Sequence, residues 1–402
     1  MDVPTESEDS SPLGAVAVIG AGTMGAGIAQ VAAAAGHDVV LVDAAPGAAE
    51  AAIRGIAAAL SRQVDKGRMT ERDSAAVLAR IRPAAAIADL PECALVVEAV
   101  PEDLELKQRL LGDVAATQPP TTILATNTSS LDITAIAEPV PDPERVLGLH
   151  FFNPPPLMRL VEVVHGRETA AAYLAHAAAL MSDWGKTPVS CASTPGFIVN
   201  RVARPFYGEP QRVVEEGLAD PATVDWVFRE QGGFRMGPFE LTDLIGQDVN
   251  YAVGASVWEQ TGRDPRYTPT QFQRTLVEAG RLGRKSGRGV FTYDAQRGAM
   301  VPAPDLGLAE RLRSGPIETD PLGRTLAMLV NEAVDLVHRG EASAADVDTA
   351  MRLGVNYPRG PIEWGRMIGF DVVAEQLAAL DQAFPGGRYR PSPALTDGSL
   401  DE

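Results

Sequence analysis

Four short clusters in this 402-residue chain hold residue types that can bind a ligand or move a proton. The first is Gly20-Ala21-Gly22-Thr23-Met24-Gly25. It follows an apolar run, opens an Ala-rich helical stretch, and has Asp43 at the end of the next apolar run. That is the setting a dinucleotide-binding turn requires. Gly20 permits a tight turn, Gly22 lets the backbone approach a pyrophosphate, and Gly25 lets the helix pack on the strand. The helix N-terminus then holds the phosphates. Asp43 would accept hydrogen bonds from a ribose 2′-hydroxyl and repel a 2′-phosphate, which favours NAD over NADP. The alternative is an ordinary Gly-rich turn, and the flanking strand, helix and acid count against it.

The second cluster is Gly148-Leu149-His150-Phe151-Phe152-Asn153-Pro154. His150 is one of five histidines, and the others lie in loops or on helix faces. It ends an apolar strand, and ligands bind at the C-terminal ends of strands in α/β sheets. Glu162 follows inside Leu160-Val161-Glu162-Val163-Val164. A carboxylate in a buried strand is costly unless paired, and His150 is a suitable partner. On residues alone, a catalytic and a structural histidine remain equally open. The third cluster, Asn127-Thr128-Ser129-Ser130, also follows a strand. Its hydroxyls can bind a substrate oxygen or cap the helix that follows. The fourth is Thr194-Pro195-Gly196-Phe197-Ile198-Val199-Asn200-Arg201, whose Asn200 can reach a cleft where two domains join or be a plain helix residue.

The elements that must position these residues alternate. Apolar runs at 15–19, 39–42, 95–97, 123–125, 146–150, 160–164 and 189–191 read as strands, with helical stretches between most of them. The pattern predicts a doubly wound parallel sheet. From Gly196 onward the chain reads as helical, and residues 295–320, rich in Pro, Gly, Ala and Arg, read as a linker. The helical part repeats itself. At an offset of 123, Glu209, Val214, Gly217, Ala219, Val224 and Asp225 match Glu332, Val337, Gly340, Ala342, Val347 and Asp348. Gly237, Pro238, Glu240, Gly246 and Asp248 match Gly360, Pro361, Glu363, Gly369 and Asp371. The expected organisation is a disordered leader 1–13, a nucleotide-binding domain 14–193, a helical domain 194–294, the linker 295–320, a second helical copy 321–396 and a tail 397–402.

Acidic residues exceed basic ones by 18, which argues against a general affinity for nucleic acid or anionic membranes. The start of the chain has neither the cationic nor the apolar region of a signal peptide, and no apolar run approaches a membrane span. Cys93 and Cys191 read as small core residues, and so few cysteines suit a reducing cytosol.

Taken together, Gly-Ala-Gly-Thr-Met-Gly at 20–25, Asn-Thr-Ser-Ser-Leu at 127–131, His-Phe-Phe-Asn-Pro at 150–154 and Thr-Pro-Gly-Phe-Ile-Val-Asn-Arg at 194–201 resemble the 3-hydroxyacyl-CoA dehydrogenase family. The second helical copy resembles the tandem domain of longer members. Its Gly354-Val355-Asn356-Tyr357-Pro358-Arg359-Gly360-Pro361 and Arg388-Tyr389-Arg390-Pro391-Ser392-Pro393 look like the branch acting on 3-hydroxybutyryl-CoA and 3-hydroxyadipyl-CoA. The resemblance implies a Rossmann-type sheet followed by two all-α domains, NAD as cofactor and an acyl-CoA substrate. It implies His150 as the base, Glu162 as its orienting carboxylate, and Ser129 and Asn200 as contacts to the substrate's 3-oxygen. Lys66 matches, loosely, a contact to the CoA phosphates. The cofactor set it implies is Gly20, Gly22, Thr23, Met24, Gly25, Asp43, Glu102, Lys107 and Asn127, with no metal. Departures are Pro155-Pro156 after the histidine motif and Gly208 where members commonly have Asn, as at Asn331 here.

The implied reaction is reversible oxidation of an L-3-hydroxyacyl-CoA in the cytoplasm, within fatty acid metabolism. One active site per chain is expected, between residues 14–193 and the first helical copy. Short members dimerise through this helical domain, so the second copy is expected to pack on the first, leaving a monomer or a homodimer. The competing readings are the same chemistry on a carrier-protein-bound hydroxyacyl group, and a non-catalytic NAD-binding structural protein.

Overall fold

The structure, a computed structural model, describes residues 13–294 and 298–395. The expected leader, Leu13 apart, and the expected tail lie outside the described residues. The chain divides into two compact units, one up to Pro188 and one from Val189 onward.

The sheet is built on strands β1 (Ala15–Ile19), β2 (Val39–Val42), β3 (Ile81–Ala84), β4 (Cys93–Glu98), β5 (Ile123–Thr126), β6 (Val146–Phe151), β7 (Leu160–His165) and β8 (Thr187–Ala192), the last of which spans the boundary at Pro188. Their order in the sheet is β3-β2-β1-β4-β5-β6-β7-β8. Helices α1 (Thr23–Ala34), α2 (Ala48–Asp65), α3 (Glu71–Ala79), α4 (Leu104–Thr117), α5 (Ile133–Ala137) and α6 (Ala171–Asp183) connect them. Strands β1, β2 and β4 to β6 are mostly apolar and almost wholly buried, as expected where helices cover both faces of such a sheet. The expected parallel sheet holds from β3 through β6. It needs one correction, since β7 runs antiparallel to β6. Strand β3 was not expected. It carries Arg82 and Pro83, which a central strand would not tolerate, and it survives because it lies at the sheet edge.

The second unit is helical: α7 (Val199–Val202), α8 (Arg204–Glu215), α9 (Pro221–Trp226), α10 (Pro238–Ile245), α11 (Gln247–Gln260), α12 (Gln271–Glu278), α13 (Leu306–Ser314), α14 (Pro321–His338), α15 (Ala344–Gly354), α16 (Pro361–Ile368) and α17 (Phe370–Ala383), with a small hairpin of β9 (Thr292–Asp294) and β10 (Gly298–Met300). The segment 295–320, expected as a linker, contains α13. Its Ala309 and Leu312 are buried and it packs on α9 and α14, so an apolar stripe outweighs the Pro and Gly around it.

The repeat is reproduced in helix boundaries and in a helix cap. Helices α10 and α11 fall on α16 and α17 at both ends under the same 123-residue shift. Asp225 accepts from the backbone N–H groups of Phe239 (2.8 Å) and Glu240 (2.9 Å) at the start of α10. Asp348 does the same for Ile362 (2.8 Å) and Glu363 (3.1 Å) at the start of α16. The glycine before each helix is dictated by that cap: a Cβ on Gly237 or Gly360 would lie 2.3 or 2.1 Å from the capping carboxylate.

The two copies pack on each other through α8 and α14, and their charges are exchanged across that contact. Arg324 of the second copy reaches Glu209 of the first at 3.2 Å, and Tyr389 donates to Glu209 at 2.7 Å. In the mirrored arrangement Arg201 lies 3.5 Å from Glu332, which also accepts from Tyr267. Arg201 and Arg324 obey the 123-residue shift, a match the repeat reading had not included. Burial opposes ionisation of Glu209, but Arg324, Arg388, Arg212 and the Tyr389 hydroxyl outweigh it and hold its carboxyl below the usual carboxylate range.

Removing one partner of such a cluster leaves buried charge uncompensated. Glu209→Ala is expected to destabilise the helical unit by roughly 3–5 kcal/mol, read from urea unfolding. Because its folded pKa is depressed, Glu209 stabilises the fold fully above its unfolded value of about 4.3. That contribution is lost as pH falls through the folded value, so Glu209→Ala should flatten the acid limb of a melting-temperature profile.

Candidate functional site

The Gly-rich turn links β1 to α1, and each glycine answers a different constraint. Gly20 has φ of +103°, and a Cβ there would sit 2.5 Å from the Ala99 carbonyl beyond β4. A Cβ on Gly25 would fall 1.8 Å from the Gly20 carbonyl. Both are imposed by the protein itself. A Cβ on Gly22 would meet no atom within 4 Å. Gly22 instead lines a cavity of about 720 Å³ with Gly20, Thr23, Met24, Asp43 and Val100. Its glycine is therefore explained by a group approaching from that cavity, as a pyrophosphate does. The first turn of α1 has no side-chain cap, so its N–H groups are available to phosphate oxygens. Asp43 directly follows β2 and accepts from Ala21 N–H (2.7 Å) and Ala45 N–H (2.8 Å), which aims the carboxylate beside the turn. These residues fit NAD.

A buried ionic chain lies behind the far side of the cleft. Glu98, with no exposure, ends β4 and accepts from Lys107 (2.7 Å), Thr126 (2.6 Å) and Val100 N–H (2.6 Å). Lys107 is 1% exposed, and its ammonium also donates to the Val100 carbonyl and lies 3.4 Å from Glu102. Lys107 thus supports Glu102 from its buried side. Glu102 collects the N–H of Ser129 (2.8 Å) and the hydroxyls of Thr128 (2.8 Å), Ser130 (3.0 Å) and Ser129 (3.2 Å). Burial opposes its ionisation, but Lys107 and these donors outweigh it and hold the carboxyl below the usual range. Sequence reasoning named Glu102 and Ser129 separately and did not find Glu98 as their support. Its signal was an acid closing the apolar run 95–97.

His150 and Glu162 are directly opposed in the antiparallel register of β6 and β7. Residues so opposed share a face of the sheet. His150 Nδ1 lies 2.6 Å from Glu162 Oε2; the His150 side chain is 9% exposed and the Glu162 side chain not at all. Asn127, at the end of β5, accepts from the Phe151 N–H at 2.9 Å, which ties the third cluster to the histidine strand. Lys186 donates to the Met158 carbonyl at 2.9 Å and to Pro155, bracing the loop that follows His150. Burial pulls the Lys186 pKa below its ordinary value.

The remaining expected residues lie on other elements. Lys66 is exposed at the C-terminal end of α2. Asn200 lies on α7 in the second unit and is partly exposed. Cys93 and Cys191 are buried, and burial pushes the Cys93 thiol up to about 11, which keeps it a protonated core residue. His37 is also structural, bonding the Gly14 carbonyl at 2.8 Å against Trp184. Among the described residues no helix is long and apolar enough to cross a membrane.

Residues 15–194 match the NAD-binding domain of 3-hydroxyacyl-CoA dehydrogenase. Residues 196–293 and 322–398 each match its C-terminal domain, which recovers the repeat independently. The chain is 41% identical to the 3-hydroxyadipyl-CoA dehydrogenase of Escherichia coli K12, over 96% of this chain and 97% of that protein. It is 40% identical to the probable 3-hydroxybutyryl-CoA dehydrogenase of Bacillus subtilis, over 69% of this chain and 97% of that one. A crystal structure of 3-hydroxybutyryl-CoA dehydrogenase from Escherichia coli K12 superposes with a TM-score of 0.89 at 41% identity, covering 97% of this chain and 99% of that one. With both domain types matched along nearly its whole length, the chain belongs to the 3-hydroxyacyl-CoA dehydrogenase family and is an NAD-dependent oxidoreductase.

Proposed function

We propose that the chain reversibly oxidises the 3-hydroxyl of a short L-3-hydroxyacyl-CoA, the 3-hydroxybutyryl or 3-hydroxyadipyl thioester, to the 3-ketoacyl-CoA, with His150 as general base. The observation that carries this reading is the buried His150–Glu162 pair at 2.6 Å. When Nδ1–H of an imidazole donates to a carboxylate, Nε2 holds the lone pair that takes a proton. His150 removes the hydroxyl proton at that nitrogen, and Glu162 stabilises the imidazolium that results. When bound, NAD supplies the hydride acceptor. Ser129 contacts the 3-oxygen through a hydroxyl oriented by Glu102. Asn200 is the amide that holds the 3-oxygen, and Lys66 meets the CoA phosphates. Thr23, Met24 and Asn127 complete the cofactor cleft, with Glu102 on its nicotinamide side and Lys107 fixing Glu102 from beneath.

Two measurements test this assignment. His150→Ala should lower kcat for 3-hydroxybutyryl-CoA by ~10² to 10⁴ while leaving the Kd for NADH, from fluorescence titration, within a few-fold. Near-full turnover in that variant refutes the assignment. Asp43→Asn removes the charge that repels a 2′-phosphate. It should raise the NADP-to-NAD ratio of kcat/KM by roughly 10-fold or more, mainly through KM.

A further inference from the structure

We propose that Arg204, with the tyrosine hydroxyls beside it, takes the distal carboxylate of a dicarboxylic 3-hydroxyacyl chain; this rests on Asn200 holding the substrate's 3-oxygen, as proposed above. Arg204 opens α8 four residues after Asn200, and its Nε donates to the Asn200 carbonyl at 2.7 Å. Nη1 donates to the Asn250 carbonyl at 3.4 Å, and the guanidinium lies 4.9 Å from the centre of the Tyr207 ring. All of these partners are neutral. Among the described residues no carboxylate oxygen lies within 4.0 Å of Arg204. Its neighbours differ sharply. Arg201 has Glu332, Asp335 and Glu341, and Arg324 has Glu209 and Glu216. Arg204 is partly buried, and a partly buried cation without a counter-charge gains from a ligand anion.

Two further observations point to a ligand. The Tyr357 hydroxyl is buried without a hydrogen-bond partner, although its ring is packed against Phe206 and Trp364. Burial lowers the pKa of Arg204, and the phenols of Tyr207 and Tyr357 are close enough to oppose that shift. A guanidinium and a free phenol O–H together suit a carboxylate, which only accepts.

The repeat shows that the fold does not require this arginine. Its counterpart at the 123-residue shift is Ala327, fully buried on α14. The next turn of α8 is Gly208, whose counterpart Asn331 clamps the Arg390 carbonyl (3.1 Å) and the Ser392 N–H (2.7 Å). A Cβ on Gly208 would meet nothing within 4 Å. A cavity of about 40 Å³ is lined by Arg204, Tyr207, Gly208, Asn250, Arg388 and also Glu209, whose charge is matched by Arg324 and Arg388; it is large enough for a few waters or one carboxylate. The reach also agrees. Arg204 Nε and the Asn200 carbonyl are in direct contact, so the guanidinium lies next to Asn200. In a six-carbon dicarboxylic chain C6 is three bonds of about 1.5 Å beyond C3. A four-carbon chain ends in a methyl group that offers the guanidinium nothing.

The test compares kcat/KM for 3-hydroxyadipyl-CoA and 3-hydroxybutyryl-CoA. The unmodified enzyme should favour the adipyl substrate. Arg204→Leu should lower the adipyl-to-butyryl ratio by roughly 10- to 100-fold, through KM for the adipyl substrate rather than kcat. Arg204→Lys should restore part of it. Tyr357→Phe deletes one oxygen from a packed ring, should lower the ratio several-fold, and decides the matter if Arg204→Leu does not fold. A ratio within twofold of the original in Tyr357→Phe and in a folded Arg204→Leu overturns the proposal, as does a starting preference for the butyryl substrate. Turnover of neither substrate instead refutes the acyl-CoA reading itself, and this inference with it.

Discussion

A carboxylate with no access to water must be matched, and at Glu162 the match is an imidazole directly across a β-ladder. The pairing is a product of strand direction. Only residues 152–159 separate β6 from β7. A parallel return would need a crossover of a dozen or more residues, usually a helix. The short connection forces β7 to reverse, and the reversal places Glu162 opposite His150 in the pleat. Around this pair, Asn127 fixes the strand from one side and Lys186 braces the loop from another. The geometry of one ionisable pair is thus determined by backbone register, which is stiffer than any loop.

The same logic recurs behind the nucleotide cleft. Glu98, Lys107 and Glu102 form a continuous chain in which each charge has an opposite neighbour. Its outermost member collects three hydroxyls from the strand-end cluster 128–130. The outer polar residues are therefore held by buried polar residues behind them, and the buried part of the chain is what keeps the exposed part in one arrangement.

Much of this was legible in the sequence because the strongest signals were local. The glycine turn, the strand leading to Asp43 and the helical repeat each depend on a short window or a fixed shift. The strand β3 was not legible, since Arg82 and Pro83 obscure its pattern and only its edge position excuses them. Helix α13 was hidden by the Pro and Gly on either side of it. The antiparallel β7 could have been inferred from the short connection before it, but strand periodicity alone carries no direction. The burial of Lys107 beneath Glu102 was invisible for a different reason. A lysine's surroundings depend on which elements close over it, and nothing near position 107 records that β4 ends in an acid pointing its way. Arg204 left still less trace: it becomes conspicuous only when Ala327 is seen to occupy the matching place.

The exchanged pairs Arg324–Glu209 and Arg201–Glu332 have the form of an isologous interface, yet both halves lie in one polypeptide. In an association of identical subunits every substitution is made twice, at symmetry-related points, and must suit both. A chain that carries both halves escapes that obligation. Position 212 is arginine and its counterpart 335 is aspartate; position 208 is empty where 331 is filled. With both halves in one polypeptide, each can differ from the other at matching points, as Arg204 and Ala327 do.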